Sequence, residues 1–414
     1  MARYWGTAAL VFAGMWVVAA STLRAQGSTA TDSARLAASA NVDDGRAHGI
    51  TQTLSLAATH RSYRVGATQV TEELAPLSYK LTSPRLALRV SGTPLRLEVP
   101  AATLNAWTPL AARLDMLLRV GDTISVYGRS ASSPSGLDTG AVRAVAAAGT
   151  SVLDLASQSL GVPPQFGVRA IFSIPVREVV VGLSGSVQHE PRPSGTGLLY
   201  WQGTTVRGAV TLNALFGDRH FSVTADASHS SADSLGGRNQ FPGGGSAGLS
   251  ADVAGPVDAE GRYFFIADVF YTHPFNNLRA DEPTRLIPNG AFMGASAALL
   301  TDALGLTWSP SVSLLRESSS ASVVALQGTQ RSETMLAGSA WSVAGALNVD
   351  VPLGRFLTLS PEFGAVAGTV ASTLQQTDGR VIGRRGRVLS TTSTNNVSDA
   401  VRGWWGSVVL STKF

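Results

Sequence analysis

The chain has 414 residues, a formal net charge of +4 and no cysteine, and only 14% of its residues are charged. The absence of cysteine excludes disulfides, thiolate metal sites and cysteine nucleophiles. Soluble domains carry about 25% charged residues, so the composition argues against an ordinary soluble domain. The small net charge argues against a basic face for nucleic acid.

The amino terminus has the pattern of a secretory signal peptide. Arg3 supplies a positive charge, residues 7–20 form an apolar run, and small residues precede a cleavage site near Ala25. The run is too short for a comfortable membrane span, and no later apolar run approaches the roughly 20 residues that a spanning helix needs. We therefore predict that residues 1–25 are removed and that the mature chain leaves the cytoplasm.

The rest of the chain divides into a short polar segment and a long series of strands. Residues 26–47 are small and polar without periodicity, which predicts a periplasmic tail or a small plug. Residues 48–414 contain many short segments in which apolar and polar side chains alternate, so we predict an all-β, antiparallel transmembrane β-barrel. The segments predict about 16 strands, or 14 if residues 77–99 make fewer crossings.

Two kinds of connection alternate along the predicted barrel. Tight turns are predicted at Gly121-Asp122, Pro175-Val176-Arg177, Gly217-Asp218, 255–261, Thr301-Asp302-Ala303 and Pro352-Leu353-Gly354. Long polar connections are predicted at 189–202, 231–246, 274–290, 317–333 and 374–400. Short periplasmic turns and long outer loops are the asymmetry of outer-membrane barrels.

A secreted β-sandwich or propeller would also contain short alternating strands. A soluble sheet keeps charged residues on its exposed face. Here one face is apolar, and the other is mostly Ser, Thr, Gly and Ala with scattered charges such as Asp226 and Glu362. No repeat of propeller length is visible. The pattern therefore favours a barrel with a polar lumen.

The last strand has an apolar face and an aromatic end. That face is formed by Trp404, Val408, Leu410 and Phe414, while Ser and Lys residues occupy the other face. The arrangement resembles the carboxy-terminal insertion signal of bacterial outer-membrane β-barrels, from which Thr412 departs. The resemblance implies recognition by the barrel-assembly machinery, escort by periplasmic chaperones and contact with outer-membrane lipids.

Together these features resemble an outer-membrane porin or transporter of a Gram-negative bacterium. In size and in its Gly- and Ser-rich strands the chain is also similar to uptake barrels for hydrophobic compounds, although residues 26–47 do not match their amino-terminal plug. The resemblance implies a channel or transporter for small solutes in the cell outer membrane, without enzymatic activity or cofactor. The alternative is a structural or adhesive barrel that has no open pore.

No catalytic, cofactor or metal motif is visible, and the six histidines lack metal-ligand spacing. His229 and Ser231 resemble the H-x-S pair of outer-membrane phospholipase A. The Asn-Gly that follows the serine in that family is replaced here by Ala232-Asp233. We therefore predict no catalytic site, and the lipid-hydrolase alternative rests on two residues.

An insert at 130–166 interrupts the regular series of strands. It begins with a Ser- and Pro-rich stretch and contains an Ala- and Val-rich piece that predicts a short helix. In general porins the third outer loop folds into the barrel, and that resemblance places acidic residues of the insert opposite lumenal arginines. The candidate pore-lining residues are Arg96, Arg113, Asp115, Arg119, Asp138, Asp154 and Arg169. The alternative is a cap packed over the rim.

Overall fold

The computed structural model describes most of the region predicted to form the barrel. The described residues are 50–99, 102–119, 122–130, 164–176, 179–189, 200–201, 204–231, 233–235, 238–241, 244–276, 289–327, 330–382 and 387–414. The predicted signal peptide (1–25) and the predicted tail or plug (26–47) lie outside these residues.

Strands account for most of the described residues. They are β1 (Thr51–Val65), β2 (Thr68–Leu74), β3 (Leu77–Thr82), β4 (Leu86–Gly92), β5 (Pro94–Val99), β6 (Ala102–Trp107), β7 (Ala111–Arg119), β8 (Asp122–Arg129), β9 (Gln165–Val176), β10 (Val179–His189), β11 (Tyr200–Trp201), β12 (Thr204–Phe216), β13 (Arg219–Ser230), β14 (Asp233–Leu235), β15 (Arg238–Phe241), β16 (Gly244–Pro256), β17 (Tyr263–Asn276), β18 (Asn289–Ala303), β19 (Leu306–Gln327), β20 (Gln330–Pro352), β21 (Leu357–Ile382) and β22 (Arg387–Lys413). No helix in the described part is long and apolar enough to cross a membrane.

Three pairs of short strands each form one continuous strand of the wall. β1 pairs with β3 along its first half and with β2 along its second half, and β4–β5 and β6–β7 continue the same arrangement. Two of the breaks between paired short strands contain a proline, Pro76 between β2 and β3 and Pro94 between β4 and β5. Proline has no backbone N–H group and therefore cannot donate a hydrogen bond to the neighbouring strand. The carbonyl of Pro76 still accepts a hydrogen bond from the N–H of Ala57 at 2.9 Å, so the wall continues across the break.

The described strands close into a barrel of sixteen. The large sheet has 19 strands, and merging the three broken pairs leaves 16 crossings. Strand β22 returns to pair antiparallel with β1, from Thr53 opposite Lys413 to Val65 opposite Val401. The prediction of an all-β, antiparallel barrel with 16 strands is confirmed, and the alternative of 14 is wrong. Strands β11, β14 and β15 form a separate small sheet.

The two rims of the barrel differ in their connections. The rim that carries Thr51 and Phe414, called the terminal rim, has connections of two to six residues at 83–85, 120–121, 177–178, 217–218, 257–262, 304–305 and 353–356. The opposite rim carries long connections after β8, β10, β13 and β17. The predicted asymmetry is therefore present, with short exceptions on the opposite rim at 66–67, 100–101, 328–329 and 383–386.

Three predicted boundaries are wrong. The connections predicted at 317–333 and 374–400 are mostly strands, because β19 and β20 cover the first except for 328–329, and β21 and β22 cover the second except for 383–386, which lie outside the described residues. These segments are rich in Ser, Thr and Val, of which Thr and Val favour strands without any apolar face, and each backbone pairs with its neighbour. The turn predicted at 301–303 lies later, at Leu304 and Gly305, which both have positive φ.

Side chains alternate between an apolar outer face and a polar inner face. On β13, Phe221 and Val223 are exposed on the outside, whereas Ser222 and Thr224 are buried on the inside. A soluble sheet would bury the apolar face instead. The exposed apolar side chains of successive strands form a belt around the barrel, as expected for a surface that contacts lipid.

This polarity is reversed where the broken strands approach the opposite rim. On β2, β5 and β6 the inner face is mostly apolar and buried, with Val70 and Leu97 almost inaccessible. The exception is Glu72, a fully buried carboxylate whose Oε2 lies 3.9 Å from Arg61 Nη1. The outer face of the same strands carries Glu73, Arg96 and Glu98, and Arg96 Nη2 lies 2.6 Å from Glu98 Oε1. A charged outer face indicates that these segments stand above the lipid belt.

Asp258 fastens the longest turn of the terminal rim. Its Oδ1 accepts the backbone N–H of Tyr263 at 3.1 Å, and its Oδ2 accepts Nε of Arg262 at 3.2 Å. The backbone hydrogen bond, with Arg262 beside it, holds the pKa of the Asp258 carboxyl below its usual value. The carboxylate therefore stays charged and fixes Tyr263 at the start of β17.

The assignment of faces predicts how arginine is tolerated on β12. Val210 is exposed on the outside at the middle of the strand, and Ala209 beside it faces the lumen. Val210→Arg should destabilise the folded barrel by roughly 2–4 kcal/mol, because a charge at the bilayer midplane loses its hydration, whereas Ala209→Arg should cost far less. Urea titration of folding into lipid vesicles measures the difference. Equal costs would contradict the assignment.

Candidate functional site

Cations from adjacent strands meet on the inner surface of the barrel. The register places Lys80, Arg89 and Arg113 directly opposite one another on β3, β4 and β7. Directly opposite residues have Cβ atoms about 4.5–5.5 Å apart, and like charges there repel. Asp115 offsets part of this repulsion, because its Oδ1 lies 2.6 Å from Nε of Arg113.

The same row of cations continues onto the next strands. Arg113 Nη2 donates to Ser125 Oγ at 3.3 Å, and Ser125 lies opposite Arg169 on β9. Arg169 and Arg207 both lie opposite Ser186, on either side of β10. We call Lys80, Arg89, Arg113, Arg169 and Arg207 the cationic wall.

Side-chain contacts of Arg207 and of Tyr127 order the inner surface around the cationic wall. Arg207 is paired with one oxygen of Asp226, Oδ2, which lies 2.9 Å from Nη2 and accepts a hydrogen bond from Nε at 3.1 Å. The ring of Tyr127 lies over Gly167, its partner on β9, where a larger residue would collide with it.

Carboxylates dominate the other half of the inner surface. Asp252 and Asp268 lie directly opposite each other on β16 and β17, and the Ser296 hydroxyl donates to Asp268. On β20, Asp350 accepts Nδ2 of Asn348 at 3.2 Å. A fourth carboxylate, Glu362, extends the group on β21. We call Asp252, Asp268, Asp350 and Glu362 the anionic wall.

The two walls lie in opposite halves of the closed barrel. The cationic wall occupies β3 to β12 and the anionic wall occupies β16 to β21. Opposed fixed charges create an electric field across the lumen, and low-dielectric walls concentrate it. A polar solute inside the barrel would be oriented by that field.

Trp405 positions one carboxylate of the anionic wall. Its Nε1 donates to Glu362 Oε1 at 2.8 Å, and its ring covers Gly364, its direct partner on β21. Only glycine leaves room for the ring at this position. The tryptophan therefore fixes Glu362 through a hydrogen bond that depends on a small neighbour.

Three of the predicted pore-lining residues face the lumen and one does not. The structure places Arg113, Asp115 and Arg169 on the inner face of β7 and β9. The prediction that Arg96 lines the lumen is wrong, because Arg96 lies on the outer face of β5 beside Glu73. It lies where the polarity of the faces is reversed, so a charged side chain there points outward.

The remaining predicted lining residues fall outside what the structure describes. Arg119 ends β7, and its side chain is not among the described ones. Asp138 and Asp154 belong to residues 131–163, which lie outside the described part. The predicted role of the insert at 130–166 therefore stays a prediction.

Sequence reasoning missed Lys80, Arg89 and Arg207 as lumenal cations. Each stands between two outward residues, as Lys80 does between Tyr79 and Leu81. Strict alternation within each strand was the signal that could have found them. Their meeting in one wall depends on strand register, which no single segment contains.

The residues of the predicted insertion signal share the outer face. Trp404, Val408, Leu410 and Phe414 are exposed on the outside of β22. The backbone of Phe414 exchanges hydrogen bonds with Gln52, from Phe414 N–H to Gln52 O at 2.9 Å and from Gln52 N–H to Phe414 O at 3.1 Å. The carboxy terminus is therefore part of the ladder that closes the barrel.

His229 and Ser231 lie at the end of β13 near the opposite rim. His229 is exposed on the outer face. Ser231 Oγ accepts the backbone N–H of Thr204 at 2.8 Å, and its own N–H donates to the carbonyl of Thr204. The hydroxyl of Ser231 thus caps the end of a strand pair.

The packing of Trp405 predicts a stability difference between two glycines. A Cβ at Gly364 would collide with the Trp405 ring, whereas a Cβ at Gly406 would meet no atom within 4 Å. Gly364→Ala should therefore destabilise the barrel by about 1–3 kcal/mol, the usual cost of overpacking, and Gly406→Ala should have little effect. Denaturant midpoints of the refolded proteins measure both. A stable Gly364→Ala variant would contradict this packing.

Comparisons with known proteins give structural matches only. No protein-family model matches the sequence, and no curated protein is similar in sequence. A loop-deletion form of OmpT, an outer membrane protein of Vibrio cholerae, matches with a TM-score of 0.39 and 8% identity, over 88% of this chain and 99% of that one. OccAB3 of Acinetobacter baumannii matches with a TM-score of 0.34 and 7% identity, over 88% and 99%. OprD of Pseudomonas aeruginosa matches with a TM-score of 0.33 and 6% identity, over 88% and 95%.

Proposed function

We propose that this protein is an outer-membrane channel of a Gram-negative bacterium that passes small polar solutes through its lumen. The observation that carries the proposal is the separation of the cationic wall from the anionic wall inside a closed barrel. A barrel that served only as an anchor would need no opposed charges on its inner surface. The outer-membrane location rests on the apolar belt, the predicted signal peptide and the outward apolar and aromatic side chains of β22.

The cationic wall gives anionic groups a series of partners. Guanidinium groups bind carboxylates and phosphates through two parallel hydrogen bonds, and four of the five cations in this wall are arginines. Neighbouring members are one or two strands apart, so an anion leaving one partner is already close to the next. Transport of this kind needs neither a catalytic residue nor a cofactor.

A second function, a structural or adhesive barrel without an open pore, is favoured by one observation. Near the opposite rim the inner face of β2, β5 and β6 is apolar apart from Glu72, and its side chains are as buried as those of a protein core. Such burial indicates that this sector of the barrel end is filled. A filled end over the whole opening would block solutes, whereas a filled sector would only narrow the path.

Electrical recording distinguishes the two functions and tests the cationic wall. The purified protein in planar lipid bilayers should produce reproducible single-channel steps with a preference for anions. Arg113→Gln should shift the reversal potential in a salt gradient towards cations, because it removes a lumenal positive charge and leaves Asp115 unbalanced. The absence of any conductance steps would reject the channel in favour of the structural barrel.

Arg96→Gln is the matched control for this measurement. It removes the same charge from the outer face, where Arg96 is paired with Glu98 above the lipid belt. The reversal potential should stay at the wild-type value in this variant. An equal shift in both variants would show that charge on the whole molecule, and not the cationic wall, sets the preference.

We further propose that β22 is recognised by the barrel-assembly machinery, with periplasmic chaperones delivering the unfolded chain. Support comes from the outward apolar face of Trp404, Val408 and Leu410 and from the aromatic end at Phe414. Phe414→Ser should lower the amount of folded protein in the outer membrane and leave periplasmic degradation products. Immunoblots of membrane fractions measure this, and an unchanged amount would contradict the proposal.

A further inference from the structure

Two arginines lie directly opposite each other on the outer face of the seam, where β1 pairs with β22. Arg64 on β1 is the partner of Arg402 on β22, and both side chains are exposed. They point outward because they share a face with the next row, in which the exposed Trp404 lies opposite Ser62. Directly opposite residues have Cβ atoms about 4.5–5.5 Å apart, and like charges there destabilise a sheet. We call Arg64 and Arg402 the seam arginines.

An apolar cluster on the inner side of the seam fixes the backbone that carries the seam arginines. Tyr63 and Val401, which each precede one of the arginines in the chain, are 4% and 1% exposed and belong to the same cluster. Tyr63 lies opposite Gly403, where a Cβ would collide with the Tyr63 ring. A shift of either strand would break this packing, so the two arginines are held opposite each other.

No carboxylate pairs with the seam arginines in the part of the chain that the structure describes. Neither guanidinium forms a salt bridge or a side-chain hydrogen bond with a described residue. On the outer face of β2, Glu73 Oε1 lies 3.9 Å from Nδ1 of His60, and its Oε2 lies 3.8 Å from Nη1 of Arg96. On β22, Asp399 alternates with Val401 onto the inner face. The seam arginines therefore present two positive charges to the surroundings of the barrel.

The aromatic ends of the apolar belt show the depth at which the seam arginines lie. Trp404 and Phe414 are exposed on the outside of β22 and lie ten positions apart. Ten residues span about 34 Å along a strand, and a tilt of about 40° reduces this to a height of about 26 Å. Apolar bands of outer-membrane barrels are about 25 Å tall and end in aromatic girdles. Arg402 lies two positions beyond Trp404, which by the same geometry is about 5 Å above the girdle.

We propose that the seam arginines bind the phosphate group of a lipid in the outer leaflet. The headgroup layer is about 5–8 Å thick on each side of the hydrocarbon, so a position about 5 Å above the girdle lies within it. Guanidinium groups bind phosphate oxygens through paired hydrogen bonds. Two arginines whose Cβ atoms are about 5 Å apart reach the oxygens of one phosphate, and the phosphate removes the repulsion between them.

The residues below the seam arginines suit the upper part of the same lipid. The rings of Trp404 and His60 lie 5.0 Å apart on the outer face. Both rings combine an apolar body with a polar tip, which is the character of the boundary between hydrocarbon and headgroups. The site rests on the proposed outer-membrane location, and it is independent of transport through the lumen because both arginines face outward.

Lipid binding by the whole mature chain, folded in detergent, tests the proposal. Native mass spectrometry counts the bound lipids as dioleoylphosphatidic acid is added, and dioleoylglycerol, which lacks the phosphate, is the comparison lipid. The wild type should bind one phosphatidic acid saturably and should prefer it to the diacylglycerol. Arg64→Gln and Arg402→Gln should each weaken this binding by about tenfold or more, while both variants still show the folded, heat-modifiable band.

Arg316→Gln is the matched control, because Arg316 is an exposed arginine on the outer face of β19 whose partners, Met293 and Trp341, carry no charge. It should bind phosphatidic acid as the wild type does. The proposal is overturned if the wild type binds the two lipids equally, or if Arg316→Gln weakens binding as much as Arg402→Gln. It is also overturned if inorganic phosphate displaces the lipid at equal concentration, because the pair would then be a site for free anions. Wild-type conductance steps together with equal binding of the two lipids would overturn this site alone and leave the proposed channel in place.

Discussion

The structure depends on one requirement: inside the hydrocarbon of a membrane, every backbone N–H and C=O group must find a partner within the protein. A sheet meets this requirement only when its first and last strands pair. Here β1 and β22 pair from Thr53 opposite Lys413 to Val65 opposite Val401. The terminal Phe414 adds its own hydrogen bonds to Gln52. Loss of this one seam would leave two open edges in lipid.

Closure of the barrel also determines which side chains become neighbours on its inner surface. Once the faces are fixed, residues separated widely in sequence become neighbours around the wall, as Lys80 and Arg113 do across β4. The same geometry sets Asp252 beside Asp268. Charges of one sign on adjacent strands destabilise a sheet, so their retention on both sides of the lumen argues for a use inside it. The proposed channel supplies that use, because charged side chains along the lumen contact the solutes that pass through it.

The sequence predicted the class of fold and the faces of the closing strand because both depend on local alternation. The apolar positions of β22, from Trp404 to Phe414, lie on the outer face as the alternation indicates. The error at Arg96 has a physical cause. The sequence predicted Arg96 in the lumen because a charged side chain is unstable in contact with lipid. Above the lipid belt, however, water surrounds the barrel, and a charged side chain is stable on the outer face. The long ends of β19 to β22 were missed for the same reason, because strands outside lipid need no apolar face.

The candidate site could be predicted only in part. Arg113, Asp115 and Arg169 lie in strands with clear alternation, so their inward position followed from the sequence. The pairing of Asn213 with Ser222, and of Ser222 with Asp252, depends on the register of three strands. Register is set by turns and packing over the whole sheet and is not encoded in any one segment. The row formed by Asn213, Ser222 and Asp252 is therefore visible only in the folded barrel.

The pairing of β1 with β22 stops where β1 ends at Val65, whereas β22 extends much further towards the opposite rim. Strand β22 has 27 residues, and in the described part its residues 387–399 pair only with β21. Above Ala400 this strand is therefore an edge strand in the described part of the barrel, and the N–H and C=O groups on its side away from β21 have no neighbouring strand to pair with. Such an edge is stable in water and costly in hydrocarbon. The last hydrogen bond of the seam, from Gly66 N–H to Ala400 O at 3.0 Å, thus marks the greatest depth to which this side of the barrel can sink into a bilayer.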